Sequence, residues 1–329
     1  MRLAILADIH GNLPALEAVL VELERIQPDG VVVDGDLINA VPYSPQVVDR
    51  VMARVRTQDW IVVRGNHEFY YLDFGTDRAA DGHEDPERWG QLHWLMERIT
   101  PAQGAFLATL PDDLTLCFPG TQPLRVAHGV PGNNRTGFYS KQPAAHIAAK
   151  IGHVDQATLI SAHTHVRIDR HITLDENPAA DPYLDPHLGS YEEQPAAIHR
   201  RWHLINPGSV GLPLNGDPRA SFAVVESVPE RHTPGGWACT HHCIDYDRRP
   251  VLAAYTDSGM MAAGGVISTL FYWELVTAEP EIIFFHQWAR ANHYDADTDI
   301  RNAFTAYAAA TGRGQFVGER DPLGAGIGD

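Results

Sequence analysis

Short apolar runs alternate along the first part of the chain with longer segments whose apolar positions recur at helical spacing. Arg2 to Leu6 (RLAIL) reads as a strand. In PALEAVLVELERIQ, Leu16, Val19, Leu20, Leu23 and Ile26 share one helical face, with Pro14 in the first turn and Asn12 placed to cap it. GVVVDGD is a second strand. SPQVVDRVMARV is a second helix, with Ser44 as its expected cap ahead of Pro45. WIVV is a third strand. This βαβαβ order implies parallel strands with helices on their faces.

The stretch from Phe69 to Pro119 has another texture, with aromatics, acids and the helical patterns ERWGQLHWLMERI and TPAQGAFLATLP. It reads as helical excursions over a sheet edge or a site. His83, Trp89, His93 and Trp94 lie within it, and packing is their expected role. LRVAHG and TLISAHTH are two further strands. Residues 174–199 are acidic and proline-rich, with little periodicity, and read as a loop insertion. RWHLINPGSVGLP, ASFAVVES and GWACTHHCIDYD alternate as strands separated by turns. In the last of these, Cys239, His241 and Cys243 face one side and His242 the other. CTHHC has no second ligand pair nearby, so a strand accounts for it better than a zinc site. RRPVLAAYTDSG is a helix. Beyond it, Phe271, Trp273, Phe284, Phe285 and Trp288 suit a core or an oligomer contact, and GERDPLGAGIGD reads as a frayed tail.

Composition narrows the picture. The chain has 329 residues and a formal charge of −17, which argues against binding along nucleic-acid backbones. A phosphorylated small substrate stays compatible with that charge if a local cation offsets it. No stretch approaches the roughly 20 uninterrupted apolar residues of a membrane span. The N-terminal run meets Asp8 and His10 too early for a signal peptide. Three cysteines, Cys117, Cys239 and Cys243, suggest reduced thiols and a cytoplasmic location.

The chemistry lies where the strands end. The first is followed by Asp8-x-His10, the second by Gly35-Asp36, and the third by Arg64-Gly65-Asn66-His67-Glu68. The fourth is followed by His128-Gly129 and the fifth by His163-x-His165. Carboxyl ends of parallel strands share one edge, so topology gathers two Asp, one Asn and five His there. Carboxylates and imidazoles packed out of water repel and compete for protons unless a cation takes their lone pairs. The donors are oxygen and imidazole with no thiolate, which suits manganese first, then iron, zinc or nickel. Seven donors are too many for one ion. Two ions sharing a carboxylate, at ~3.5–4 Å, account for them.

The series D-x-H, G-D, G-N-H-E, H and H-x-H, in this order, resembles the calcineurin-like metallophosphoesterase superfamily. DIHGN and NPGSVGLP resemble its small prokaryotic phosphodiesterase branch. The likeness covers residues 1–259 apart from the acidic insertion, leaving 260–329 as a helical, partly flexible C-terminal extension. Ala162 departs from the glycine usual before H-x-H. The resemblance implies an α/β fold, a four-layer α/β/β/α sandwich with a dinuclear metal site at the carboxyl ends of its strands. It implies Asp8, His10 and His165 on one ion, Asn66, His128 and His163 on the other, and Asp36 bridging them. His67 would meet the leaving oxygen as an acid, and Arg64 the phosphate.

The implied reaction is hydrolysis of a phosphodiester by a metal-bridging hydroxide. A phosphomonoesterase acting on phosphoprotein, nucleotide or dinucleoside polyphosphate is the rival, favoured slightly by the RGNHE form. A non-catalytic scaffold of retromer type is a third reading. All seven donors and His67 stand, which weighs against it.

Overall fold

The computed structural model describes residues 1–176 and 198–324. Strand β1 (Arg2–Leu6) shows how the sandwich arises. Its side chains alternate, Leu3 and Ile5 to one face, Ala4 and Leu6 to the other, and both faces are buried. A strand apolar on both faces needs a covering layer on each side. Helices α1 (Leu13–Ile26) and α2 (Ser44–Gln58) supply one, and a second sheet supplies the other.

The first sheet has the order β10-β9-β1-β2-β3. Its strands β2 (Gly30–Asp34) and β3 (Ile61–Val63) run parallel to β1. Strands β9 (Ala220–Ser227) and β10 (Trp237–Ile244) extend it antiparallel on the far side of β1. The second sheet has the order β4-β5-β6-β8-β7. Here β5 (Leu124–Ala127), β6 (Thr158–Ile160) and β8 (Ile198–Pro207) are parallel, edged antiparallel by β4 (Asp113–Leu116) and β7 (Arg167–Glu176).

Leu3, Ile5 and Val63 from the first sheet meet Val126, Ile160 and Ile205 from the second in a dry middle layer. Helix α6 (Ala144–Ile151) covers the outer face of the second sheet through Ile147 and Ile151. This is the four-layer α/β/β/α arrangement expected from the sequence. The rim differs in detail. It is shared by two sheets, three strand ends from the first and two from the second, because stacking aligns their carboxyl edges.

Three local expectations are corrected. Ser44 is not the α2 cap. That position falls to Tyr43, which makes no side-chain cap bond, while Ser44 Oγ accepts from the Asn39 N–H (2.9 Å) and donates to Val41 O. Residues 174–176 and 198–199 of the expected insertion pair as the ends of β7 and β8, and 177–197 lie outside the described residues. The expected tail is tied down at Asp321, which is buried and accepts from Tyr272 Oη at 2.6 Å, and 325–329 lie outside the described residues.

Between β3 and β4 come α3 (Asn66–Leu72), α4 (Pro86–Met96) and α5 (Pro101–Thr109). After β10 come α7 (Arg249–Asp257), α8 (Met260–Thr277), α9 (Glu281–Ala291), α10 (Ile300–Thr311) and α11 (Arg313–Gly318). Leu270, Trp273, Phe285 and Tyr307 of these helices join one core with Leu92, Leu95 and Val251. Among the described residues, α8 is the one helix long and apolar enough to cross a membrane, and half of it is buried inside the protein.

Helix α8 also buries an acid. Glu274 accepts from the Ile282 N–H (3.1 Å), and burial, reinforced by Glu281, pushes its carboxyl up to about 8. A folded pKa above the unfolded one means stability is full below about pH 4.5 and falls as pH rises towards about 8. Glu274→Gln should therefore flatten the pH dependence of unfolding in that window, by up to about 1.4 kcal/mol per pH unit. Urea melts of both proteins between pH 5 and 8 measure it, and parallel slopes would refute it.

Candidate metal centre

Each strand end delivers its donors through a sharp backbone turn. Asp8, His10, Asp36, His163 and His165 have φ between 51° and 70°, in the left-handed region that L-residues avoid. Such positions cost on the order of 1 kcal/mol or more each. The strain turns consecutive side chains inward from one loop. Gly65 answers a different need: an added Cβ would stand 2.1 Å from Asp36 Oδ1, so only glycine lets β3 turn this close to that carboxylate.

Asp8, His10, Asp36 and His165 each offer a ligand atom, all within 4.8 Å of one another, and Asp36, His128 and His163 form a second such group. Asp36 belongs to both. Asn66 Oδ1 lies 3.2 Å from His128 Nε2 and 2.8 Å from His163 Nδ1, inside the second group. All seven residues expected from the sequence therefore meet at one place.

The hydrogen bonds behind the rings fix their tautomers. His128 Nδ1 donates to Asp34 O (2.7 Å) and His165 Nδ1 to Leu212 O (2.6 Å). That leaves the His165 Nε2 lone pair facing the cluster, while His128 Nε2 faces Asp36 Oδ2. His165 Nε2 then sits 3.1 Å from His10 Nε2, while both Asp8 oxygens and His10 Nδ1 are buried without a partner. Unpaired oxygens and converging nitrogens out of water are poor company for one another and good ligands for a cation. The residues fit a pair of divalent ions.

Electrostatics agree. Burial pushes the Asp8 carboxyl well above the usual carboxylate range, and it pushes His163 down to about 4 and His165 to about 3. Burial also lowers His10. These imidazoles are neutral, as ligands must be. Burial would raise Asp36 too, but His128, His67 and His10 outweigh it and hold its carboxyl low. Asp36 Oδ2 lies 3.1 Å from His128 Nε2, and Asp36 holds the ring's pKa up against burial.

His67 stands at the edge of the cluster, its ring 4.7 Å from that of His10, with Asn39 Nδ2 at 2.9 Å from Nδ1. Arg64 stands apart. Its guanidinium is paired with Asp112 and lies over the Phe69 ring. Arg135 adjoins the rim instead. Its guanidinium lies 5.0 Å over Tyr70, which packs against His67.

Sequence reading passed over three supports. Glu68, fully buried, accepts from the N–H groups of Asp36 (2.9 Å), Leu37 (2.8 Å) and Gly65 (2.7 Å), locking the β2 and β3 loops together. Ser209 Oγ donates to Asp8 O at 2.8 Å, giving NPGSVG its structural role. Asn39 orients His67. Glu68 left a trace in the sequence as the last letter of RGNHE, and Ser209 as part of NPGSVG, whose expected role is a structural turn. Asn12 serves as the α1 cap, accepting from the Ala15 N–H.

Two substitutions test this balance of strain and function. Asp8→Gly removes an unpartnered buried carboxylate and relieves a positive φ. It should raise the melting temperature of metal-stripped protein, by roughly 2–4 °C for each of about 1–3 kcal/mol. Added manganese should stabilise the wild type more than the variant. Glu68→Ala should destabilise by more than about 3 kcal/mol, since the buried N–H groups of Asp36, Leu37, Ile38 and Gly65 lose their acceptor. Calorimetry with chelator and with manganese decides both, and a variant Asp8→Gly that melts earlier than stripped wild type would contradict the strain argument.

No curated protein matches the sequence. Among solved structures, a metallophosphoesterase from Sphaerobacter thermophilus is 24% identical with a TM-score of 0.57, over 84% of this chain and 100% of that one. A hypothetical protein from Pyrococcus horikoshii OT3 is 20% identical with a TM-score of 0.61, over 82% of this chain and 97% of that one. These likenesses concern the fold. The family model described as calcineurin-like phosphoesterase matches residues 1–167, a span that holds every donor from Asp8 to His165. The chain belongs to the calcineurin-like phosphoesterase family and is a metal-dependent hydrolase of phosphoric esters.

Proposed function

We propose that the ester cleaved is a phosphodiester of a small molecule. The observation that carries this is a pair of separate cavities beside the loops that bear the donors. One, of about 360 Å³, is lined by Asn39, Asn66 and His67. The other, of about 340 Å³, is lined by His128, Gly129 and Arg135. They share no lining residue. A diester carries a substituent on either side of phosphorus and uses both spaces, whereas a monoester uses one.

Asp8, His10 and His165 would hold one divalent ion, Asn66, His128 and His163 the other, with Asp36 shared. Bound there, a pair of divalent ions supplies an acidified water and charge neutralisation on the phosphoryl oxygens. Manganese suits the oxygen-and-imidazole donor set. The protein's own groups do the rest. The Asn39 amide donates to His67 Nδ1, so the neutral ring carries its proton on Nε2 and can pass it to the leaving oxygen. Phosphate contact by Arg64 requires opening its pair with Asp112, so Arg135 is the better placed cation. A cytoplasmic location belongs to the same proposal, supported by three cysteines that stand as free thiols.

Hydrolysis of bis(p-nitrophenyl) phosphate and p-nitrophenyl phosphate, with manganese and with chelator, tests the proposal. The diester should be turned over at least tenfold faster, and only with metal. Faster turnover of the monoester would overturn the diester reading. His67→Ala should keep its metal content and lose about 10²–10⁴-fold on poor leaving groups, with a smaller loss on p-nitrophenolate. Arg135→Ala should raise KM about tenfold while Arg64→Ala moves it little, and the reverse order would restore Arg64 as the clamp.

A further inference from the structure

We propose that the cavity beside His67 seats the leaving group, and that it is built for a flat, largely apolar ring such as that of a nucleoside or an aryl alcohol. The inference rests on the phosphoesterase reading of the metal centre and adds the substrate class. The cavity begins at the group that meets the leaving oxygen, since Asn66 and His67 line both it and the donor cluster. From there its walls turn apolar through Tyr70, Trp89, Leu92, Ile267, Phe271 and Ile282.

Aromatic side chains flank the His67 ring. Tyr70 packs edge-on at 5.4 Å and leads to Trp89 at 5.3 Å, and Phe271 stands edge-on to His67 at 6.5 Å, all three lining the cavity. A space lined by such rings suits a planar guest, which gains stacking beyond the burial of area. A small polar alcohol would leave these apolar walls wet and forgo their burial. The wall also contains unused polar capacity. Gln91 is 2% exposed, and among the described residues neither of its amide atoms nor the buried Trp89 Nε1 has a hydrogen-bond partner. A ring bearing heteroatoms uses that capacity and a hydrocarbon ring does not, which favours a nucleobase.

Part of the wall comes from outside the span that matches the family model. Ile267, Phe271 and Ile282 come from α8 and α9, outside the residues 1–167 that match the family. Helix α8 is brought against α4 at Gly90, where an added Cβ would stand 2.0 Å from Ala263 O. The extension thus completes a cavity that the family's catalytic portion leaves open on that side.

Two measurements test the assignment. Tryptophan fluorescence of the protein as purified is titrated with adenosine, 2-phenylethanol and glycerol. The first two should bind and glycerol should not, and Ile267→Trp, which fills the cavity, should weaken binding at least tenfold. Next, kcat/KM is compared for methyl phosphodiesters whose leaving groups are adenosine, 2-phenylethanol and ethanol, all primary alcohols. The ring-bearing esters should exceed the ethyl ester at least tenfold, and Ile267→Trp or Phe271→Ala should narrow that ratio to about twofold. Preference for adenosine assigns a nucleoside, and preference for phenylethanol an aryl alcohol. Equal turnover of ring-bearing and ethyl esters, or binding indifferent to Ile267→Trp, overturns the proposal. Ring binding without hydrolysis of any ester counts against the phosphoesterase reading while supporting the cavity assignment.

Discussion

The structure turns on keeping a cluster of carboxylates and imidazoles dry with their lone pairs converging. Asp8, His10, Asp36 and His128 are at most 1% exposed, and among the described residues none hydrogen-bonds either Asp8 carboxylate oxygen. Left alone, such a cluster opposes folding, because burial disfavours each charge and the donors compete. The surrounding architecture reads as the means of holding it. Two sheets stack so that five strand ends meet at one rim, and the apolar layer between them leaves the rim little freedom to relax.

Holding the donors in place falls to groups that touch no substrate. Glu68 gathers N–H groups from the loops after β2 and before α3, so Asp36 and Asn66 keep their spacing. Backbone carbonyls of Asp34 and Leu212 take the Nδ1 protons of His128 and His165. Ser209 and Leu212 follow β8 on the second sheet, while Asp8 follows β1 on the first. The Ser209–Asp8 contact joins the two halves of the rim, and the Leu212–His165 contact braces the second half. Five donors at positive φ show that this precision comes with strain, consistent with a site whose full complement includes cations.

The fold and the donors were legible in the sequence for a physical reason. Parallel strands buried on both faces read as short apolar runs, and a ligand pair from one loop reads as D-x-H or H-x-H. The supports were not legible because their partners lie far away in the chain. Ser209 and Asp8 are 201 positions apart, and no local pattern marks a serine for a distant carbonyl. Arg64 shows the reach of a distant partner from the other side. Its place beside Gly65-Asn66-His67 suggested the phosphate, yet the side chain turns towards Asp112, 48 positions on. Ser44 was misassigned likewise, since the loop at Asn39 and Val41 claims the hydroxyl expected at a helix cap.

The aromatic stripe of the C-terminal helices shows how one pattern divides between packing and recognition. Phe285 and Trp273 are buried in the core shared with α7 and α10, as their spacing suggested. Phe271, two positions before Trp273, projects instead towards His67 and lines the adjoining cavity. Helical periodicity ranks residues by how apolar their surroundings are, and an apolar cavity wall scores the same as a core. What separates them is whether the space beyond the ring is filled. That depends on how closely α8 approaches α4, which is set at Gly90 and Ala263 and by no feature of the stripe itself.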